Sequence, residues 1–385
     1  MTTAIITDIN TRIHTLMMDL GQAKDIVGTS PDISPATNEA ARELLRVEKL
    51  AVRDRQLNDK SWQTTKQTIL TQLHHEILAR FKQELEDTDT LYSKVLGINE
   101  SMPDALDILN VRASSIGRIE PVIATMPWLV KDLIKMVNMP KYRRFDKRGK
   151  GIAVDNLRMA LSFIGIENLK MVVPSMAMRR WLPQITDPYP SIKSRLWANS
   201  IGTAICCRKL AQLKGQDEGM LFTLGMLHNI GYIAVIRLYF RLFDQVLQEA
   251  LKEAQDGQLK SEYDALRELQ PDADFLRDLM MQYGAALSVK IIERMDMRRV
   301  YINHAMSEFA KDMPMTKMTP MAKILTQSVA YTRFRLLRDS KLITTDEAKQ
   351  YLQHFHMPKG SLAILKSTNL GKLDLSMTTN TSDEN

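Results

Sequence analysis

Cysteine is almost missing from this chain. The only two, Cys206 and Cys207, are neighbours. Adjacent cysteines join only under strain, and two thiols alone cannot build a structural zinc site. A disulfide scaffold is therefore excluded. The expectation is a pair of buried thiols on a helix, in a reducing cytoplasm. Glycine is also sparse, 16 in 385 residues, and scattered, so no Gly-rich phosphate loop is present. Aromatic residues make up only 6%. No segment alternates with period two for long enough to read as a strand, and there is no internal repeat. The first residues, MTTAIITDINTRIHTLMMDL, include acids and lack a signal-type apolar run. No stretch is read as reaching the ~18 uncharged apolar residues of a membrane span.

What is present is aliphatic and helical. Hydrophobic residues are 44% of the chain, with 24 methionines, so the core is expected to be Met-filled. The net charge of +7 permits an anionic partner without requiring nucleic acid. Ile6, Ile9, Ile13, Leu16 and Leu20 recur at spacings of three and four, which predicts an amphipathic helix over 5–20. Gly28-Thr29-Ser30-Pro31 reads as a loop. Two further helices are predicted, over 36–55 (Ala41, Leu44, Leu45, Leu50) and 61–86 (Trp62, Ile69, Leu73, Ile77, Phe81, Leu85). Short helices punctuated by prolines follow from about 96 to 310, and 183–190 is a loop. Thr319–Arg338 reads as a helix. Thr344 and Glu347 have capping-box spacing, so a last helix starts there and runs to about 355. Residues 367–385 are polar and aperiodic, and a disordered tail is expected.

Between these ends lies a series of motifs. Residues 224–231 read Leu-Gly-Met-Leu-His-Asn-Ile-Gly, and Trp197-Ala-Asn-Ser200 stands upstream. Earlier come Met126-Pro-Trp-Leu129 with an apolar helix ending at Asn138, then Ala153–Ala160 and Phe163-Ile-Gly-Ile166. Tyr283-Gly-Ala-Ala286 and Asn303-His304 follow downstream. In this order they resemble the HDOD family, a degenerate relative of the HD and HD-GYP metal phosphohydrolases. The resemblance covers about 96–310 and implies an all-α multi-helix bundle of that type, with extra N- and C-terminal helices. It divides the chain into a helical N-terminal region (1–95), the HDOD domain (96–310), C-terminal helices (311–366) and the tail (367–385). It also implies a bacterial regulatory protein of the cytoplasm.

An HD-type hydrolase gathers His and Asp ligands on a divalent metal, which acidifies a bound water. The positions that the resemblance assigns to such a site are Asn199, His228, Asn229 and His304. Asn199 stands where a His is expected and Asn229 where an Asp is expected. Leu279-Met280-Met281-Gln282 supplies nothing where another His often lies. A neutral amide is a poor substitute for a carboxylate. Neither a catalytic residue, a metal ligand nor a cofactor is therefore assigned. His228 is read either as a relict ligand or as a helix-end side chain with its ring nitrogens bonded to backbone.

Residues 141–150 hold six basic side chains, Lys141, Arg143, Arg144, Lys147, Arg148 and Lys150, with Tyr142 and Phe145. They form a candidate anion-binding segment, suited to a nucleotide or nucleic acid, or else a solvated loop. Met313, Met315, Met318 and Met321 read as a connector pinned to the core, or as an adaptable docking surface. The function expected is a non-catalytic signalling module acting on a protein partner or on a second copy of itself, with no membrane involved. The alternatives are a divergent metal-dependent cyclic-dinucleotide phosphodiesterase and a nucleotide or nucleic-acid sensor using 141–150.

Overall fold

The computed structural model describes residues 2–28, 46–111, 114–145 and 150–375. Among them every regular element is helical, as the periodicity implies; Phe145 and Gly151 make only an isolated bridge. The amphipathic stripe near the start forms α1 (Thr2–Met18) and stops short of Leu20. There Asp19 caps α2 (Leu20–Val27), accepting from the Gln22 amide. The predicted break between two helices in 36–86 is not found. Residues 46–84 run as one helix, α3 (Arg46–Glu84), because 56–60 contain neither Gly nor Pro to stop it. Residues 36–45, and Thr29 to Pro31 of the predicted loop, lie outside the described residues.

A short turn, α4 (Thr88–Thr90), leads through a π-turn into α5 (Ser101–Leu109), α6 (Ile116–Ala124) and α7 (Pro127–Val137). Helices α8 (Leu157–Ile164) and α9 (Ile166–Trp181) follow, then three that form the centre: α10 (Ile192–Lys214), α11 (Glu218–Leu227) and α12 (Ile230–Asp256). Next come α13 (Lys260–Arg267), α14 (Ala273–Arg294) and α15 (Asn303–Ala310). The chain closes with α16 (Pro320–Asp339), α17 (Thr345–His354) and α18 (Ser361–Ser367). Side-chain caps start several of them: Asn156 accepts from Met159 N at 2.9 Å, Asp217 from Met220 N at 2.7 Å and Asp272 from Phe275 N at 2.8 Å. The capping box predicted at Thr344 and Glu347 is present in full.

Packing is most intimate between α10 and α11, α12 and α14, and α10 and α16. One apolar cluster holds Ile9 and Ile13 of α1, Phe81 of α3, the central helices and Leu365 of α18. Buried side chains on both sides of residues 95 and 310 therefore share a core. Met318 is buried and Met313, Met315 and Met321 pack against the same cluster, as a pinned connector requires. Leu370, Leu373 and Leu375 also lie on it, although the sequence places them in a disordered tail; three leucines within six residues suffice to anchor an extended strand of chain. Residues 376–385 are outside the described residues.

The span Glu218–Asp256 corrects the sequence reading of membrane spans. It has a mean hydropathy of 1.5 over an 18-residue window, enough by length and composition to cross a membrane. It is instead divided at His228-Asn229 into α11 and α12, and 94% of that window is buried inside the fold. Its apolarity is that of central core helices.

Two glycines set how closely these helices approach. A Cβ on Gly225 would stand 2.6 Å from the Cα of Ala204 on α10. A Cβ on Gly231 would stand 2.2 Å from the Gly284 carbonyl oxygen and 2.3 Å from the Ser288 amide nitrogen of α14. Backbone cannot retreat as a side chain can, so Gly231→Ala is expected to lower the unfolding free energy by about 3 kcal/mol or more. Gly117, on the exposed side of α6 with nothing near its Cβ position, provides the contrast: Gly117→Ala should be neutral or stabilising by up to about 1 kcal/mol. Urea denaturation of both variants checks this, and equal stabilities would show that α12 and α14 can part.

Candidate functional site

The corner between α11 and α12 carries His228 and Asn229. The helix ends because Gly225 draws α11 against α10, while the next segment must turn to lay Gly231 on α14. Ser288 of α14 holds the turn. Its hydroxyl accepts from Gly231 N at 2.9 Å and lies 2.8 Å from the His228 carbonyl and 3.0 Å from that of Gly284.

The His228 ring is fully buried. Nδ1 sits 2.6 Å from the Gly225 carbonyl oxygen. A carbonyl only accepts, so Nδ1 carries the proton and Nε2 presents its lone pair. Nε2 has no partner among the described residues. The sequence-based alternative of two backbone-bonded nitrogens is thus half met. Asn229 donates from Nδ2 to the Ser200 hydroxyl at 3.3 Å. Asn199 is fully buried, and neither end of its amide finds a partner among the described residues. The hydroxyls of Thr203 and Thr223 are likewise buried without a partner among the described residues, and that of Ser328 is buried beside the Cys207 thiol, so a seam of polar groups runs between the packed helices α10, α11 and α16.

Two residues that sequence reasoning missed close this seam. His14 of α1 is buried, its Nδ1 2.7 Å from the Asn10 carbonyl, and its ring stacks on Tyr232 of α12 at 5.6 Å between centroids. Arg333 of α16 is nearly buried and donates to Asn10 Oδ1 at 3.0 Å. The signal available was Asn10 and His14, a polar i,i+4 pair beside the apolar stripe of α1. Burial, joined by the charge of Arg333, pushes both His14 and His228 down to about 3, so each ring stays neutral in the fold.

His304 is not brought to this cluster. Its side chain is 76% exposed, 3.3 Å from Glu308. It is Phe309 of the same helix that faces His228, at 6.4 Å between ring centroids; five residues along a helix turn through about 140° net, which points His304 to solvent. Glu308 caps α16 by accepting from the amide and hydroxyl of Thr319 at 2.8 and 2.7 Å. Cys206 and Cys207 are buried free thiols, as predicted. Burial pushes Cys206 up to about 12 and Cys207 in the same direction, so neither is a nucleophile at neutral pH.

The basic segment splits. Arg144 turns inward, donating to the Phe163 carbonyl at 2.8 Å with its guanidinium 4.6 Å from the Phe163 ring centre. Arg143 covers Gly151. Lys141 bonds the Tyr142 hydroxyl at 2.9 Å. Lys150 is exposed, and Lys147 and Arg148 lie outside the described residues. Asn138 closes the base of the loop: it donates to Val154 O at 2.7 Å and accepts from Val154 N at 3.0 Å.

Residues 98–270 match the family model of the HDOD domain. The chain carries an HDOD domain. The matched residues contain Asn199, His228 and Asn229, while α1, α15 and α16, which also surround the corner, lie outside the match. A proposed phosphohydrolase from Shewanella amazonensis SB2B is 16% identical, with a TM-score of 0.46 and coverage of 73% of this chain and 95% of that one. A proposed metal-dependent phosphohydrolase from the same organism is 17% identical, TM-score 0.42, covering 76% and 99%. A proposed signal transduction protein from Marinobacter aquaeolei VT8 is 14% identical, TM-score 0.43, covering 76% and 66%. No curated protein matches the chain.

The residues around the HDOD corner do not fit a catalytic divalent metal. His228 keeps the arrangement of a ligand, with Nδ1–H held by a carbonyl and Nε2 free. The other two buried positions matched to the site, Asn199 and Asn229, are carboxamides, and among the described residues no group of three His, Cys, Asp or Glu side chains converges anywhere. The charged group nearest in effect is the Arg333 guanidinium, which repels a cation.

The buried histidines make stability depend on pH. Both have folded pKa values near 3, below the ordinary 6.5 that they regain on unfolding. Their contribution is complete above pH 6.5 and is lost as pH falls, because only the unfolded chain then takes up the proton. Half-buried His74, stacked on Phe275, is shifted in the same direction by burial. By linkage, His14 and His228 should each cost about 2 kcal/mol at a pH of about 5 relative to neutrality. Urea unfolding at the two pH values measures this. Stability that is flat between them would mean that the rings protonate within the fold.

Proposed function

We propose that this chain is a non-catalytic signalling module that acts by binding a protein partner in the cytoplasm. The HDOD match supports the signalling role. The non-enzyme reading is carried by one observation: His228 retains a ligand-ready Nε2, yet the two other buried positions matched to the site hold the neutral amides of Asn199 and Asn229 where a metal would need charge. Losing an imidazole and a carboxylate together leaves too little negative charge to hold a divalent ion and acidify its water. The polar seam then serves structure, fixing the corner from which α12 departs. A partner protein, or a second copy of the chain, supplies the output that chemistry does not.

Elemental analysis of protein purified without chelators, with turnover assays on phosphodiesters in added manganese or iron, tests this reading. Well under one metal per chain and no turnover are expected. His228→Ala should cost about 1–3 kcal/mol of stability, because the buried Gly225 carbonyl loses its donor. About one metal per chain, with turnover abolished by His228→Ala, would instead establish the divergent phosphodiesterase.

A further inference from the structure

A large cavity of the fold lies away from the His228 corner. It is a cleft of about 910 Å³ bounded by α7, α9, α10 and the chain segment after α18, within the usual range for small-molecule sites. Its rim is strongly basic: Lys135, Arg179, Arg180, Lys193, Arg237 and Lys372 line it, against the single acid Asp132. Among the described residues none of these six is in an ion pair with a carboxylate, although fifteen Lys or Arg pairs of that kind form elsewhere. Lys193 is held by the Gln184 amide oxygen at 2.6 Å. Arg237 is the most telling of them. It is half-buried, donates only to the Leu96 and Trp181 carbonyls at 3.2 Å each, and is lowered from its ordinary pKa by burial alone. A guanidinium kept away from water without a counter-charge is costly unless an anion completes it.

The floor is a different material. Met136, Val172, Met176 and Ile201 supply apolar surface, and Trp197 lies beside them with the Arg179 guanidinium 4.3 Å from its ring centre. Tyr142 adds a second ring at the edge. Phosphate-seeking cations above a wall of aromatic and methionine side chains suit a ligand with a planar ring at one end and phosphates at the other. We propose that this cleft binds a nucleotide, its base on the Trp197 side and its phosphates among Arg179, Arg180, Lys135 and Lys372. Lys372 comes from the segment that Leu370, Leu373 and Leu375 pin to the core, so the occupant would touch both the HDOD domain and the C-terminal region. The cleft is separate from the His228 cluster, and the proposal stands whether or not that cluster holds metal.

Isothermal titration with ATP, GTP and inorganic tripolyphosphate tests this, at about 50 mM and about 200 mM salt. At least one nucleotide should bind at low salt, more weakly at high salt, and roughly tenfold or more tighter than tripolyphosphate, since stacking adds to the charge term. The double variant Arg179→Ala, Arg180→Ala alters only exposed side chains and should weaken that binding at least tenfold with an unchanged melting temperature. Trp197→Leu should bring the nucleotide down toward tripolyphosphate. Arg298→Ala, exposed and outside the cleft, should leave affinity unchanged. No binding of either nucleotide at low salt overturns the proposal. So does tripolyphosphate binding as tightly as the nucleotides, or nucleotide binding that survives the double variant.

Discussion

The fold depends on the contact of backbone with backbone at Gly231, where α12 meets α14. There is room for a hydrogen atom and nothing more, and the Ser288 hydroxyl spans the join by bonding the chain on both sides of it. The same turn places Gly225 against Ala204 three residues before His228. An apolar run long enough to be one helix is thereby interrupted at His228-Asn229. The innermost helix pairs meet at this corner, so its geometry is inherited by the rest of the bundle.

Around the corner the terminal helices act as walls. Arg12 of α1 bonds the Leu342 carbonyl at 3.1 Å and Glu347 at 2.8 Å, and also pairs with Asp8. Because Glu347 is the acid of the α17 capping box, the start of the chain is tied to the start of a helix near its end. His14 and Arg333 then seal the polar seam with one neutral ring and one cation. A catalytic metal centre wants negative charge and an open coordination position; this enclosure provides a guanidinium and helix packing. The ring of His228 keeps the tautomer of a ligand because the Gly225 carbonyl, a backbone group, imposes it whatever side chains stand opposite.

Charge and chemistry have separated in this molecule. The run at 141–150 looks from sequence like the cationic site, yet Arg144 is consumed in holding the loop to Phe163, and Asn138 and Arg143 are occupied in its base. Six cations that pair with no carboxylate among the described residues come from separate stretches of chain and line the cleft beside Trp197. Among the described residues of the predicted segment, only Tyr142 lines it.

Much of the fold was legible in the residues. Apolar spacing identified α1, the later part of α3 and α16; the Thr344–Glu347 spacing located α17; and the motif order from Met126 to Tyr283 indicated the HDOD bundle. Each is a local signal, set within one helical turn or by short-range order along the chain. Asn199 and Asn229 could likewise be read as amides without structure, since a missing carboxylate is a fact of composition at a position. Tertiary structure alone decided the rest. That His304 faces solvent, that His14 and Arg333 reach the seam, and that Arg179, Lys193, Arg237 and Lys372 share a cleft depend on which helix faces touch. Contacts between residues tens to hundreds of positions apart leave no periodicity in the sequence, because the rotation of each helix about its axis is set by packing against neighbours.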